Sequence, residues 1–204
     1  MNCVFCQNYE ISQEGKGTEI TINRLAEIFL EQQEKDVENI NLVTPTSYVP
    51  QIIEAIKIAR TRGLKLPIVY NTNGYEKVET LKMLEGYIDI YLPDFKYSDN
   101  KLAKRLSKVD NYFEITTEAL KEMHRQTGKA IFDDRGIMKK GMIIRCFCQV
   151  INIVKIFCHV CRDQFRIILR PAAYLLILVS SKQIGHQKAD HYNWKETAED
   201  KIYK

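Results

Sequence analysis

The sequence lacks several features by which common protein classes are recognised. Its longest charge-free apolar run, residues 171–179, is far shorter than the ~20 residues that a membrane-spanning helix needs. The first residues show no basic segment followed by an apolar core, so nothing resembles a secretory signal peptide. Neither a Gly-x-Gly-x-x-Gly fingerprint nor a Walker sequence occurs, which leaves little support for a Rossmann or P-loop site. These absences predict a cytoplasmic protein without a membrane partner.

A strong charge imbalance is missing as well. The 204 residues include 30 Lys and Arg against 26 Asp and Glu, and no basic stripe with interleaved aromatic residues occurs. The net charge of +4 therefore does not favour nucleic-acid binding. The sequence also shows no combination of nucleophile, His and carboxylate that indicates ordinary hydrolysis. The hydrophobic share of 45% is that of a folded globular chain.

Composition changes near Arg145. The 59 residues that follow hold nine Lys and Arg, five Asp and Glu, four of the six Cys and one of the nine Gly. The preceding 145 residues are neutral, with 21 residues of each charge. We therefore divide the chain into a core, residues 1–145, and a tail, residues 146–204.

Short apolar runs alternate with amphipathic stretches through the core. Thr21 is a plausible N-cap for one helix, and Gly63 is a plausible end for a second helix that begins near Val49. Further helices are predicted at 78–84, 102–106 and 119–126, and strands at 39–43, 67–70, 87–92 and 141–145. Strands that alternate with helices predict right-handed βαβ units and a parallel sheet. This α/β pattern fits a curved or partial barrel.

Polar residues follow each of the first three predicted strands. Thr44 follows the first strand, Asn71 and Asn73 follow the second, and Asp94 and Lys96 follow the third. In parallel α/β folds the carboxyl ends of the strands line the active site. We therefore expect these five side chains to lie at one edge of the sheet.

Each of these residues also has a purely structural explanation. Residues 71–74 form a good turn sequence whatever the function. Asp94 is a possible cap for a helix that starts near Asp99, and Thr44 before a proline is a possible strand terminator. Packing is the plainer role of three tyrosines in this region: Tyr70, Tyr75 and Tyr91.

Cys3 and Cys6 form a Cys-x-x-Cys pair whose spacing alone is ambiguous. Zinc or redox thiols, an iron–sulfur cluster and incidental thiols all remain open for such a pair. Phe5 stands directly before the second cysteine.

The segment Cys3-Val4-Phe5-Cys6 resembles the last four positions of the Cys-x-x-x-Cys-x-aromatic-Cys loop of radical S-adenosylmethionine (SAM) enzymes. More narrowly, the core is similar to proteins like pyruvate formate-lyase activating enzyme. Four further segments resemble that family's strand motifs in the same order: residues 41–50, 70–75, 94–97 and 141–145. The resemblance implies a partial (β/α) barrel of the radical SAM type that lacks its first strand and carries an atypical C-terminal tail.

The resemblance also implies cofactors, partners and residue roles. Three thiolates on one loop hold a [4Fe-4S] cluster, and SAM chelates the open fourth iron. Reductive cleavage of SAM then yields a 5′-deoxyadenosyl radical, which abstracts hydrogen from a glycyl-radical enzyme or a small molecule. Flavodoxin or ferredoxin is the implied electron donor. The implied metal ligands are Cys3 and Cys6, and the implied cofactor-binding residues are Phe5, Thr44, Asn71, Asn73, Asp94 and Lys96.

The chain departs from the family pattern in two places. The loop's first cysteine, four residues before Cys3, has no counterpart in the sequence, which leaves two ligands where three are needed. After Arg145 the family strand of the type His-Leu-Val-Leu-Pro-Gly-His is absent. Back-translation of residues 146–151 in a shifted frame can spell Leu-Leu-Leu-Pro-Gly-His. We therefore infer a frameshift beside Arg145.

Three alternatives follow from these departures. In the first the protein is a thiol-based metal-binding or redox module without radical chemistry, in the second it is an inactive fragment, and in the third the tail is a core of buried thiols or a zinc module. Four tail cysteines would then bind the zinc: Cys146, Cys148, Cys158 and Cys161. An out-of-frame tail should contact the core sparsely, leave the strand that ends at Arg145 uncovered, and be removed by protease to give a core ending near that residue.

Overall fold

From α2 to β3, helices and strands alternate along the chain as its apolar pattern predicts. The computed structural model describes residues 1–147, 165–169 and 174–179. Its helices are α1 (Tyr9–Ser12), α2 (Ile22–Glu34), α3 (Val49–Thr61), α4 (Val78–Met83), α5 (Asn100–Ser107) and α6 (Tyr112–Thr127), with a 3-10 helix at Thr46–Tyr48. Its strands are β1 (Ile40–Val43), β2 (Ile68–Thr72), β3 (Ile90–Phe95), β4 (Ile131–Phe132), β5 (Met138–Phe147), β6 (Phe165–Leu169) and β7 (Tyr174–Val179).

The ends of α2 and α3 follow from single residues. Thr21 has extended backbone geometry, and its hydroxyl accepts a hydrogen bond from Arg24 N at 3.1 Å, so it caps α2 as predicted. The α3 helix ends just before Gly63, whose φ of +98° favours glycine. The α6 helix begins at Tyr112, seven residues before its predicted start. The apolar pattern missed this first part because polar and β-branched residues dilute it.

Parallel pairing of four strands forms the centre of the structure. The sheet order is β1-β2-β3-β5-β7-β6, with β4 paired to β5 beside this path. The pairs β1–β2, β2–β3 and β3–β5 are all parallel, which confirms the predicted parallel α/β sheet. The short β4–β5 hairpin was not predicted, and it is antiparallel.

The third strand ends later than its sequence indicates. Prediction ended it at Leu92 because proline lacks the N–H that a central strand donates. In the structure it continues to Phe95, and Asp94 and Phe95 pair with Arg145 and Cys146 of β5. This extension pairs the backbone of Asp94 with β5, whereas the pairing of β3 with β2 ends at Pro93.

Helices α2, α3 and α6 cover the sheet through a shared apolar core. The α3 helix contributes Ile52, Ile53 and Ile56 to this core, and each is at most 9% exposed. A second, smaller cluster joins the segment after β3 to α5 and α6. Its buried members are Tyr97, Ala103, Val109 and Tyr112, and Met1 and Tyr75 pack against it. Among the described residues, none lies in a helix long and apolar enough to cross a membrane.

Strand β7 covers the edge of β5 that the sequence led us to expect to be open. The two strands pair antiparallel, from Ile143 opposite Leu178 to Phe147 opposite Tyr174. Strand β6 pairs antiparallel with β7 in turn. The expectation of an uncovered edge is therefore wrong, because an apolar run in extended conformation satisfies the unpaired backbone groups of β5. The division into core and tail, and the frameshift, stay predictions.

Limited proteolysis measures where the folded unit ends. Because β7 is hydrogen-bonded to β5, we expect the protease-resistant fragment to extend beyond Val179 rather than to end near Arg145. Mass spectrometry of the fragments over a time course gives the boundary. A fragment that ends near Arg145 from the earliest time points would contradict the pairing and support an out-of-frame tail.

Candidate functional site

The carboxyl ends of β1 and β2 are joined by their backbone. Thr44 follows β1 with a φ of +51°, and its N–H donates to the carbonyl oxygen of Asn71 at 2.7 Å. The Thr44 residue is exposed, whereas Asn71 is only 8% exposed. Two of the predicted site residues therefore lie side by side at one edge of the sheet.

Asp94 lies at the centre of a charged network at the same edge. Its carboxylate forms ion pairs with Lys96 Nζ and with Arg145 Nε, the latter at 2.8 Å. Arg145 Nη2 also donates to Asn71 Oδ1 at 2.7 Å. The side chains of Asp94 and Lys96 are 11% and 10% exposed, so solvent screens this pair weakly. With two cations and one anion, the network has a formal charge of +1.

Asn73 uses its side chain within the turn. Its Oδ1 accepts from Tyr75 N at 2.9 Å, which is the hydrogen bond of an Asx turn. Turn formation therefore accounts for the Asn73 amide oxygen, whereas Asn71 joins the charged network through Arg145. The structure supports both explanations of residues 71–74, each for a different asparagine.

Gly74 brings the turn against the end of β3. Its φ is +81°, and a methyl group there would overlap the carbonyl oxygen of Asp94 and lie 3.0 Å from Thr116 Cγ2. Only glycine permits both this conformation and this approach. The close contact sets the distance between the turn after β2 and the charged network after β3.

The Tyr112 hydroxyl bonds to the same two segments. It accepts from Lys96 N at 2.9 Å and lies 3.2 Å and 3.3 Å from the carbonyl oxygens of Asn73 and Asp94. The side chain is fully buried, and this burial raises the pKa of Tyr112. Its ring stacks on Tyr75 with a centroid distance of 5.9 Å. The neutral Tyr112 hydroxyl therefore contacts the backbone at the ends of both strands.

The N-terminal loop is hydrogen-bonded to the end of α5. Asn2 N and Val4 N donate to the carbonyl oxygens of Ser107 and Leu106 at 3.0 Å and 2.9 Å. Ser107 Oγ donates to Cys3 Sγ at 3.0 Å and lies 2.6 Å from the hydroxyl of Tyr97, which follows Lys96 directly. The Cys3 thiol is thus tied to the segment that leaves β3.

Cys6 and Phe5 complete the N-terminal loop. Cys6 N donates to Cys3 O at 3.2 Å, which closes the turn between the two cysteines. Cys6 Sγ lies 3.2 Å from Ser12 Oγ on α1. Both thiols are reduced and partly exposed, and the Phe5 side chain is 42% exposed. The loop therefore offers two thiols and an aromatic ring to an incoming group.

Asp94 does not cap the helix that starts near Asp99, which was its purely structural explanation. The cap of α5 is Asp99, whose Oδ1 accepts from Lys101 N at 2.8 Å, and Asp94 pairs with two cations instead. The packing role of Tyr70 and Tyr91 agrees with their full burial.

Sequence reasoning missed three residues of this region. Arg145 was placed at the end of a strand, yet its side chain reaches the carboxylate of Asp94. Tyr112 was outside any predicted helix, and no pattern marked it. Glu76 is 2% exposed and accepts from Thr46 Oγ1 at 2.6 Å. Of these three residues only Arg145 could have been found from the sequence. It ends a predicted strand of the parallel sheet, and the carboxyl ends of such strands line the active site.

The described residues do not complete a metal site by themselves. No group of three or more His, Cys, Asp or Glu side chains in residues 1–147 is arranged to hold a metal ion. The third described thiol, Cys146, is 3% exposed within the main apolar core. Of the proposed zinc ligands in the tail, three lie outside the described residues: Cys148, Cys158 and Cys161.

Comparison with known proteins gives two matches of different breadth. The Radical SAM superfamily matches residues 1–134. An uncharacterized protein of Methanocaldococcus jannaschii is 36% identical over 122 residues, which cover 55% of this chain and 35% of that protein. The chain therefore spans about a third of the length of that curated relative. No solved structure matches the chain.

Substitution of Gly74 tests the close approach between the two strand ends. We expect Gly74→Ala to lower the free energy of unfolding by about 3 kcal/mol, from the left-handed conformation and the overlap with Asp94 together. Gly86→Ala is the matched control, because Gly86 has a φ of +83° but nothing within 4 Å of its added methyl group. The control should cost only about 1 kcal/mol. Equal losses in urea denaturation would show that the approach is not tight.

Proposed function

The chain belongs to the radical SAM superfamily, and we propose that it binds SAM at the carboxyl ends of β1, β2, β3 and β5. The observation that carries this proposal is the position of the N-terminal loop. Cys3 is hydrogen-bonded to Ser107, which contacts Tyr97, and Tyr97 follows Lys96 of the charged network. A thiol for an iron–sulfur cluster is therefore connected, through Ser107 and Tyr97, to the segment that carries polar groups for SAM.

The donor set fits part of a [4Fe-4S] cluster. Cys3 and Cys6 are close in the loop and supply two thiolates, whereas a cluster that leaves one iron open needs three. Cys146 is buried in the apolar core, whereas Cys3 and Cys6 are partly exposed in the loop. The described residues therefore provide an incomplete cluster site. When bound, a cluster of this type supplies an electron that cleaves SAM and so allows hydrogen-atom abstraction.

We assign the charged network the role of holding the polar end of SAM. The formal charge of +1 on Asp94, Lys96 and Arg145 favours a carboxylate. Arg145 donates a hydrogen bond to Asn71 Oδ1 and so orients the Asn71 amide. In this orientation the Asn71 NH₂ group is a donor toward a ligand. The exposed Thr44 adds a hydroxyl next to Asn71. Phe5 and Asn73 are proposed to contact the adenosine part.

Within the superfamily, we favour an activity similar to that of pyruvate formate-lyase activating enzyme. The order of the five motifs supports this assignment, and the sheet is then part of a (β/α) barrel. A glycyl-radical enzyme or a small molecule is the proposed substrate, and flavodoxin or ferredoxin is the proposed electron donor. Val4 and Phe5 expose apolar surface on the cysteine loop, which suits contact with a protein partner.

Adding a third thiol tests whether the loop is a cluster site. The dipeptide Cys-Gly placed before Met1 puts a cysteine four residues before Cys3, and Ser-Gly is the matched control. After anaerobic reconstitution, we expect the Cys-Gly form to bind about four irons per chain. The Ser-Gly form and the unmodified chain should bind fewer and lose them readily to a chelator. Iron analysis and electron paramagnetic resonance spectroscopy of the reduced protein provide the measurement.

The same proteins test the reaction. Reduced with dithionite, the reconstituted Cys-Gly form should convert SAM to 5′-deoxyadenosine and methionine, and Cys3→Ser or Cys6→Ser in that form should abolish the products. Chromatography detects both products. Zinc or iron binding by Cys3 and Cys6 without any SAM cleavage would contradict the radical enzyme and favour the thiol-based metal or redox module.

A further inference from the structure

A buried carboxyl group stands behind the candidate site, in a position that the proposed SAM contacts do not use. Glu76 lies between the turn after β2 and helix α4, and it is 2% exposed. Its Oε1 atom accepts from Thr46 Oγ1 at 2.6 Å and from Thr72 Oγ1. Its other oxygen, Oε2, and the hydroxyl of Tyr70 are buried without a hydrogen-bond partner among the described residues.

The two threonines belong to different segments of the chain. Thr46 begins the 3-10 helix in the loop after β1, and Thr72 is the last residue of β2. The Thr72 hydroxyl also accepts from Gly74 N at 3.3 Å, and Glu76 N donates to Gly74 O at 3.0 Å. One carboxyl oxygen thus connects the loop that carries Thr44 to the end of β2, which carries Asn71, and to the turn that follows with Asn73.

We propose that Glu76 is a positioning residue, which holds the loop after β1 against the turn after β2 through the two hydroxyl groups that share its Oε1 atom. Glu76 is too buried to contact a ligand, so it acts through Thr44, Asn71 and Asn73. The consequence for ligand binding rests on the proposed function, whereas the clamp between the loops does not.

The surroundings of the carboxyl suit a neutral acid rather than a carboxylate. Burial raises the pKa of Glu76, and this effect exceeds the lowering by the Thr46 and Thr72 hydroxyls and by the Met1 ammonium. Tyr70 on β2 faces it, and burial likewise raises the pKa of that hydroxyl. A protonated Oε2 is a donor rather than an acceptor, so a neutral Glu76 leaves no buried negative charge without a counterion.

Four variants separate the clamp from general effects on folding. Glu76→Gln keeps an acceptor for both threonines and removes the ionisable group, whereas Glu76→Ala removes the acceptor. Thr46→Val removes one hydroxyl with little change of shape, and it tests the clamp even if Glu76→Ala does not fold. Glu79→Gln, at an exposed glutamate on α4, is the matched control.

Hydrogen exchange of the full chain without cofactor is the first measurement. We expect amide exchange in residues 44–48 and 72–76 to become about tenfold faster in Glu76→Ala and Thr46→Val, as follows from the loss of one buried hydrogen bond. Glu76→Gln should stay within about twofold of the wild type, and Glu79→Gln should not differ. Unchanged exchange in Thr46→Val, or equal losses in Glu76→Gln and Glu76→Ala, would overturn the proposal.

The pH dependence of unfolding distinguishes the carboxyl from an ordinary surface acid. Because the folded state raises the pKa of Glu76, it binds the proton more tightly than the unfolded state does. The wild type should therefore lose stability relative to Glu76→Gln as the pH rises from about 4.3 through the raised pKa. Parallel pH profiles for the two proteins would contradict a buried acid at this position.

Binding of S-adenosylhomocysteine, measured by calorimetry, links the clamp to the site. In the reconstituted Cys-Gly form we expect the dissociation constant to rise about tenfold when Thr46→Val is added and to stay near the unsubstituted value when Glu79→Gln is added. Altered exchange with an unaltered dissociation constant would overturn the positioning role. If the reconstituted Cys-Gly form without further substitution binds no S-adenosylhomocysteine, that result counts against the proposed function, while hydrogen exchange still decides whether the clamp exists.

Discussion

The buried hydroxyl of Tyr112 is the interaction on which the candidate site most depends. It accepts a hydrogen bond from the backbone of Lys96 and lies within hydrogen-bond distance of the carbonyl groups of Asn73 and Asp94. Backbone groups at strand ends that are buried away from water need such partners, because leaving them unpaired costs free energy. One side chain from α6 thereby fixes where β2 and β3 stop. The closeness of Gly74 to Asp94 and the direction of the Asp94 and Lys96 side chains follow from this arrangement.

Two buried carboxyl groups, those of Asp94 and Glu76, lie in this region and differ in their partners. Asp94 forms ion pairs with two cations, Lys96 and Arg145. Glu76 has two hydroxyl donors in place of such cations, so burial favours its neutral form. A ligand at the carboxyl ends of the strands would therefore meet the charged network, with a neutral acid behind it.

Much of the sheet was predictable from the sequence, since local signals determine it. Thr21, Gly63 and the apolar runs gave α2, α3 and the parallel order of the strands. Proximity of Asn71 and Asp94 followed from the rule that carboxyl ends of parallel strands share an edge. The role of Tyr112 and the contact of Glu76 with Thr46 were not predictable, because they join residues 16 to 39 positions apart. For Arg145 the sequence indicated only that it ends a strand of the parallel sheet. The extension of β3 past Pro93 was missed for a similar reason: pairing with β5 outweighs a local breaker.

Arg145 lies on a strand that has neighbours on both sides. Its backbone pairs with Asp94 of β3 on one side and with Leu176 of β7 on the other. The cation that compensates Asp94 is consequently supported by residues more than 25 positions beyond the family match, which ends at residue 134. The pairing of β7 with β5, from Ile143 to Phe147, therefore connects the tail to the core on the strand that carries Arg145. A chain shortened to residues 1–145 would free one edge of β5, and its Asp94 could not be assumed to have the environment that it has in the whole protein.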